Sequence, residues 1–182
     1  MIFALDDETR QDRVALVDGP SGRSWTYGQL REEAARRRDL LAASTKALVF
    51  QFCGNTLPSV AWYLGCVEAG HAVALLAQNL EASLRKRLLD IFQPEFVLLP
   101  ESPGAEYRLA EASGLWRRTP AAVACPVHPD LAVLLSTSGS TGSPKFVRLS
   151  RRNIEANARS IVQALEIDET HRPVAHLPLH YS

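Results

Sequence analysis

The sequence predicts an α/β domain: a parallel sheet from βαβ units with flanking helices and an N-terminal β-hairpin. Three observations predict it. Apolar runs of strand length, "KALVFQF" at 46–52, "HAVALLA" at 71–77 and "EFVLLP" at 95–100, alternate with segments of helical periodicity. Each run is almost continuously apolar, the pattern of a strand covered on both faces. Strands that alternate with helices in this way imply right-handed crossovers and a parallel sheet.

Residues 13–18 ("RVALVD") and 23–26 ("RSWT") read as strands joined by the turn sequence "GPSG", hence the hairpin. Thr26 is placed to cap a helix from Tyr27, with Leu30, Ala34 and Leu41 on one face. After the strand at 46–52, Gly54 and Asn55 break the run. Thr56 and Pro58 then open a helix to residue 69 with Val60, Ala61, Leu64 and Val67 as its apolar positions. Gly70 stops it. A third helix follows over 79–90, carrying Leu80, Leu84, Leu88 and Ile91. From 101 to 130, Pro103, Gly104, Gly114, Pro120, Pro126 and Pro129 predict a loop-rich connection within one domain. Strands are expected again at 130–138, at "KFVRLS" (145–150) and at "PVAHLPL" (173–179). Between the last two, Ser150 is placed to cap a helix over 151–165 with Ile154, Ala158, Ile161, Val162 and Leu165 as its stripe.

At 182 residues and 46% hydrophobic content, the chain is long enough for one sizeable core. Twenty basic residues balance twenty acidic ones, which argues against a nucleic-acid partner. Arg36, Arg37 and Arg38 sit beside Glu32, Glu33 and Asp39, so they read as a solvated helix face. Cys53, Cys66 and Cys125 form no CxxC pair and no zinc spacing, and read as small buried residues. The early acidic residues at 6–8 do not fit a signal peptide, and no apolar run is long enough for a membrane span. A cytoplasmic location is expected.

The most informative stretch is "STSGSTGSPK" at 136–145. Every residue from Ser136 to Pro144 is Ser, Thr, Gly or Pro, and Lys145 closes the run before another strand. Glycines allow close backbone approach, hydroxyls and N–H groups donate, and a lysine adds charge: together these suit a polyphosphate. The P-loop pattern does not fit, because Gly142 follows Gly139 after only two residues and a strand, not a helix, comes next. No G-x-G-x-x-G follows the first strand and no G-x-S-x-G elbow is present, so neither a dinucleotide fold nor a serine hydrolase is indicated.

This loop resembles the S/T-S-G-S/T-T-G-x-P-K signature of the adenylate-forming (AMP-binding) enzymes, which include acyl-CoA synthetases and the adenylation domains of peptide synthetases. Three more stretches resemble family motifs in the family's order: "WTYGQL" at 25–30, "LGCVEAGHAVALL" at 64–76 and "LPLHYS" at 177–182. The resemblance implies that the chain is part of the large N-terminal domain of that fold. Residues 1–182 would then be an incomplete N-terminal AMP-binding domain, with the C-terminal lid domain absent. It implies an ATP-dependent carboxylate–thiol ligase that forms an acyl-adenylate and then a thioester, with ATP and Mg²⁺ as cofactors. Coenzyme A or a carrier protein's phosphopantetheine would be the acceptor. Partners implied are a small carboxylic acid, the remainder of the ligase's own chain and an acyl carrier protein. Carried over position by position, Thr137, Ser138, Gly139, Ser140, Thr141, Gly142 and Lys145 form the phosphate loop, and His180 and Tyr181 are candidates for the substrate pocket. No complete catalytic set and no metal ligand is expected in these residues, so the 182-residue piece alone is expected to be inactive.

Two positions depart from the family pattern: Phe146 stands where a glycine usually follows the lysine, and Arg151 stands where a histidine is common. Phe146 is expected to tighten or re-route the loop's end, and the arginines at 148, 151 and 152 are candidates either for positive potential near phosphates or for a simple helix start. His71, His128 and His171 read as structural or exposed, His176 as a strand-end residue, and Trp25, Trp62 and Trp116 as core or rim aromatics. The alternative to the ligase is a non-catalytic nucleotide- or partner-binding module of the same fold.

Overall fold

The computed structural model describes residues 7–119, 126–136 and 145–181. Strands β1 (Val14–Val17) and β2 (Ser24–Thr26) pair antiparallel as the expected hairpin. Thr26 then caps α1 (Tyr27–Leu40): its hydroxyl accepts from the Gln29 N–H, and the Gln29 side chain accepts from the Thr26 N–H.

Strands β3 (Leu48–Cys53), β4 (Ala72–Ala77), β5 (Phe96–Leu98) and β8 (Leu131–Ser136) lie parallel in the order β5-β3-β4-β8. Between them run α2 (Leu57–Glu68) and α3 (Ala82–Phe92). Alternate side chains of the strands serve two cores. Val49, Cys53, Val73, Leu75 and Phe96 pack with Trp62, Cys66 and Val67 of α2, whereas Phe50, Phe52, Ala74, Leu76 and Val97 pack with Leu88 and Leu89 of α3. The two helices therefore cover opposite faces, as continuously apolar strands require.

The outer strands correct the expectation of a purely parallel sheet. Residues 101–130 are not all loop: β7 (Leu115–Arg118) pairs antiparallel with β5, and β6 (Tyr107–Glu111) pairs antiparallel with β7 at the edge of the sheet. They escaped detection because both are short and because β6, at the edge, buries little. Tyr107 is the only buried residue of β6, and its hydroxyl donates to the Pro94 carbonyl at 3.1 Å. At the other edge β9 (Phe146–Ser150) runs antiparallel to β8. The strand expected at 173–179 is absent, for Pro173 and Pro178 carry no N–H for a ladder and the segment is irregular, with the His176 N–H turned back to the Val174 carbonyl.

Helix α1 crosses α2 at very close range. A Cβ on Gly65 would sit 2.9 Å from the Ala34 carbonyl oxygen and 2.9 Å from the Arg37 Cβ, so only glycine fits. Arg37 is not solvated, which corrects its reading as part of an exposed face. It is buried, donates to the Glu33 carboxylate and carbonyl, and lies 5.3 Å over the Trp62 ring, while Arg36 and Arg38 remain exposed. Buried His71 has a structural role. Its Nδ1 accepts from the Ala47 N–H at 3.2 Å, so Nε2 carries the proton and donates to the Leu41 carbonyl at 2.8 Å. That pins the end of α1 to the start of β3.

Helix α4 (Arg151–Ala164) begins at the expected cap, with Ser150 and Asn153 forming a capping box. It has no buried residue; Ile161, Val162 and Leu165 are exposed.

Candidate nucleotide-phosphate site

In an open α/β sheet, ligands collect at the carboxyl ends of the strands where neighbouring connections leave toward opposite faces. Here that point lies between β3 and β4, which feed α2 and α3 respectively. Strand β8 pairs with β4 in parallel, Leu75 opposite Leu135, so β8 ends at the same edge of the sheet. The stretch 137–145 leaves from there. Its anchors are tied by the pairing of Ser136 with Phe146.

Thr137, Ser138, Gly139, Ser140, Thr141 and Gly142 lie outside the described residues. Lys145 is described and exposed, immediately before β9. Phe146 takes up its unusual position by packing onto α3, its ring edge-on to Phe92 with centroids 5.2 Å apart. An aromatic side chain replaces a permissive glycine there, and the strand starts at once.

Arg151 and Arg152 lie at the far end of β9 from Lys145. Strand β9 carries the chain about 17 Å away, five residues of extended strand, to the opposite end of the sheet. Arg151 donates there to the Val67 carbonyl. With Lys46, His71, Asp130 and Ser150 it lines a cavity of about 560 Å³ at the amino ends of the parallel strands. The Lys46 ammonium is pushed below the usual lysine range, first by burial and then by Arg151 facing it. This cavity is remote from the edge at which the loop leaves β8.

The C-terminal segment returns to the loop's edge of the sheet. Asn55, the second residue after β3, holds it: Nδ2 donates to the carbonyls of Ala175 at 3.0 Å and Leu177 at 2.8 Å, and Oδ1 accepts from the Leu179 N–H at 2.7 Å. Leu179 packs on the α2-side core. His180 is half-buried and its Nδ1 finds no hydrogen-bond partner among the described residues; Tyr181 is exposed. His128, His171 and His176 are exposed. In the sequence Asn55 shows only as a strand terminator, because a lone Asn after Gly carries no other signal. Gln51 was likewise invisible in an apolar run; buried in mid-sheet, it donates to the Ser59 carbonyl at 2.7 Å.

Cys53 and Cys66 are buried free thiols, and burial pushes the Cys53 thiol up to about 11 and the Cys66 thiol higher still. Cys125 lies outside the described residues. Among the described residues no three His, Cys, Asp or Glu side chains converge as a metal site requires, and no helix is long and apolar enough to cross a membrane.

A family model described as AMP-binding enzyme matches residues 3–182. The chain belongs to the AMP-binding enzyme family. Among curated relatives of this AMP-binding chain, the hybrid PKS-NRPS synthetase TAS1 of Cordyceps militaris is 27% identical, over 81% of this chain and 10% of that protein. The isonitrile lipopeptide synthase of Streptomyces coeruleorubidus is also 27% identical, over 97% of this chain and 13% of that protein. Among solved structures, O-succinylbenzoate coenzyme A synthetase (MenE) of Bacillus subtilis in complex with AMP superposes with a TM-score of 0.74 at 21% identity, covering 98% of this chain and 49% of that one. The inhibitor-bound N-terminal domain of FACL13 from Mycobacterium tuberculosis superposes with a TM-score of 0.76 at 18% identity, covering 98% and 50%. The AMP-binding chain thus spans about half the length of these structures and a small part of the curated synthetases, and its fold is that of the adenylate-forming N-terminal domain.

Proposed function

We propose that the chain is the N-terminal part of an ATP-dependent carboxylate–thiol ligase and supplies its nucleotide-phosphate loop. The observation that carries this reading is the hydroxyl- and glycine-rich stretch 137–145, closed by Lys145, which leaves β8 at the carboxyl edge of the parallel strands in an AMP-binding family chain. In this reading a substrate carboxylate oxygen bonds to the α-phosphorus of ATP, and the bond from that phosphorus to the bridging oxygen breaks. An acyl-adenylate and pyrophosphate result. A thiol sulfur then takes the acyl carbon and AMP leaves, giving a thioester.

Negative charge builds on the departing pyrophosphate. Backbone N–H groups of 137–142, the hydroxyls of Thr137, Ser138, Ser140 and Thr141, and the Lys145 ammonium are the groups of this chain suited to receive it. This donor set fits a polyphosphate. A Mg²⁺ ion would neutralise part of the same charge, but its carboxylate ligands are not assigned to the described residues. His180 and Tyr181 contribute to the carboxylate pocket. The acceptor is coenzyme A or a carrier protein's phosphopantetheine, the latter supported by the peptide-synthetase relatives. The carboxylic acid itself is left to experiment.

The test is carboxylate-dependent exchange of labelled pyrophosphate into ATP by the full-length ligase. Lys145→Ala is expected to lower the exchange about 10²–10³-fold, as loss of one preorganised charge-stabilising group does. Unchanged exchange would refute the role of the loop. The 182 residues alone are expected to form no acyl-adenylate.

A further inference from the structure

We propose that Asn55 is a positioning residue for the substrate pocket, holding the segment 175–181 so that His180 presents an unpaired imidazole nitrogen to the carboxylate substrate. The role rests on the ligase reading for the identity of that substrate; the placement of the segment does not.

Segment 173–181 belongs to no helix and no strand. Backbone groups outside regular structure must still find partners, and here one side chain supplies three of them. Asn55 uses both ends of its amide: Nδ2 donates to two carbonyls, Ala175 and Leu177, and Oδ1 accepts from the Leu179 N–H. Its three partners are the alternate residues 175, 177 and 179, gathered at a single amide. Only a primary amide provides two donors and an acceptor at one point.

Asn55 is itself firmly placed. It stands between the last residues of β3 and Thr56, whose hydroxyl caps α2 by accepting from the Ser59 N–H. The clamp is thus fixed to the sheet at the switch between β3 and β4, the edge from which the loop 137–145 also leaves. On the clamped side, Leu179 packs into the core, and the Tyr181 N–H donates to the Pro178 carbonyl at 2.9 Å, turning the chain at His180. Buried polar atoms are paired in native proteins with few exceptions, yet Nδ1 of His180 is buried and has no partner among the described residues. A ligand hydrogen bond would satisfy it. The ligand chemistry it suits is an oxygen of the carboxylic acid or of its adenylate.

The experiment has two arms. In the 182-residue chain, Asn55→Ala is expected to raise hydrogen exchange at the Leu179 amide at least about tenfold, the size of one lost intramolecular hydrogen bond, while β3 and β4 amides keep their protection. Asn55→Asp keeps the acceptor for Leu179 and loses both donors, so it is expected to retain part of that protection, and it serves if the alanine variant fails to fold. In the full-length ligase, Asn55→Ala is expected to raise KM for the carboxylate about tenfold or more while KM for ATP changes less than about twofold, with Asn55→Asp between it and the native enzyme. Unchanged Leu179 exchange overturns the clamp. Raised exchange with both KM values unchanged overturns the positioning role. Failure of Lys145→Ala to alter pyrophosphate exchange would instead sink the ligase reading, and leaves the Leu179 result standing.

Discussion

Helices α2 and α4 obey the same local rules and meet opposite surroundings. Each starts at a hydroxyl cap, Thr56 or Ser150, and each carries apolar residues at helical spacing. Yet α2 buries Leu57, Ala61, Trp62, Leu64, Gly65, Cys66 and Val67, whereas α4 buries none. Helix α2 lies between the sheet and α1. Helix α4 touches the sheet through Ile154, and Ile161, Val162 and Leu165 stand 45%, 47% and 65% exposed. Periodicity locates an apolar stripe; only tertiary contacts decide whether anything covers it.

Substitutions at matched positions test that contrast. Trp62→Ala is expected to cost about 3–5 kcal/mol from the cavity and the lost stacking of Arg37, against about 0.5 kcal/mol or less for Ile161→Ala. Urea unfolding of the chain reads both. An equal loss at Ile161 would break the comparison and mean that the α4 face is covered in solution.

Alkaline pH gives the next largest effect. The unfolded Cys53 thiol loses its proton near 9.0 and the folded one near about 11, because burial disfavours the thiolate. The folded state thus holds the proton longer. Stability is full below pH 9 and falls as pH rises toward 11, by up to about 2–3 kcal/mol from Cys53, with the buried Cys66 thiol adding to the fall over the same range. Tyr63, raised by burial from 10.0 to about 12, prolongs the fall. Urea midpoints between pH 8 and 11 measure it, and Cys53→Ala should make the fall shallower while Cys66 and Tyr63 keep part of it; an unaltered slope would contradict this assignment.

Gly65→Val is expected to cost about 1–3 kcal/mol, since its side chain would enter the α1–α2 crossing. The matched change Ala158→Val, at an exposed α4 position, is expected to be near neutral by the same measurement. The caps come last. Thr56→Ala and Ser150→Ala should each cost about 1 kcal/mol in thermal or urea unfolding. Similar losses would show that capping is indifferent to burial, and a large excess at Thr56 would mean that it also supports Asn55.

Signals confined to neighbouring residues were legible in the sequence. Thr26 and Ser150 marked two helix starts, and the central apolar runs marked β3, β4 and β8. What escaped depended on residues far apart in the chain. Strand β6 is a short edge strand with exposed polar side chains, and β7 beside it is only four residues long with two arginines, so both look like loop. Arg37 differs from Arg36 and Arg38 only in facing Trp62. "PVAHLPL" resembles a strand by composition, but its partner is one amide rather than a ladder. The residue types of 137–145 read as a phosphate cradle, and the structure places its exit at Lys145 and Phe146; the contacts of Asn55 were not legible, because its three partners lie 120 to 124 residues away.

That separation also sets an order in time. Asn55 is made early and has no partner until residues 175–179 exist and the sheet between them has formed. Closing so long a stretch is entropically late in folding, and a strap held by the Asn55 amide and the packing of Leu179 opens at lower cost than the strands beneath it. The segment carrying His180 and Tyr181 is therefore expected to dock last and detach first, so that assembly of the pocket follows completion of the fold.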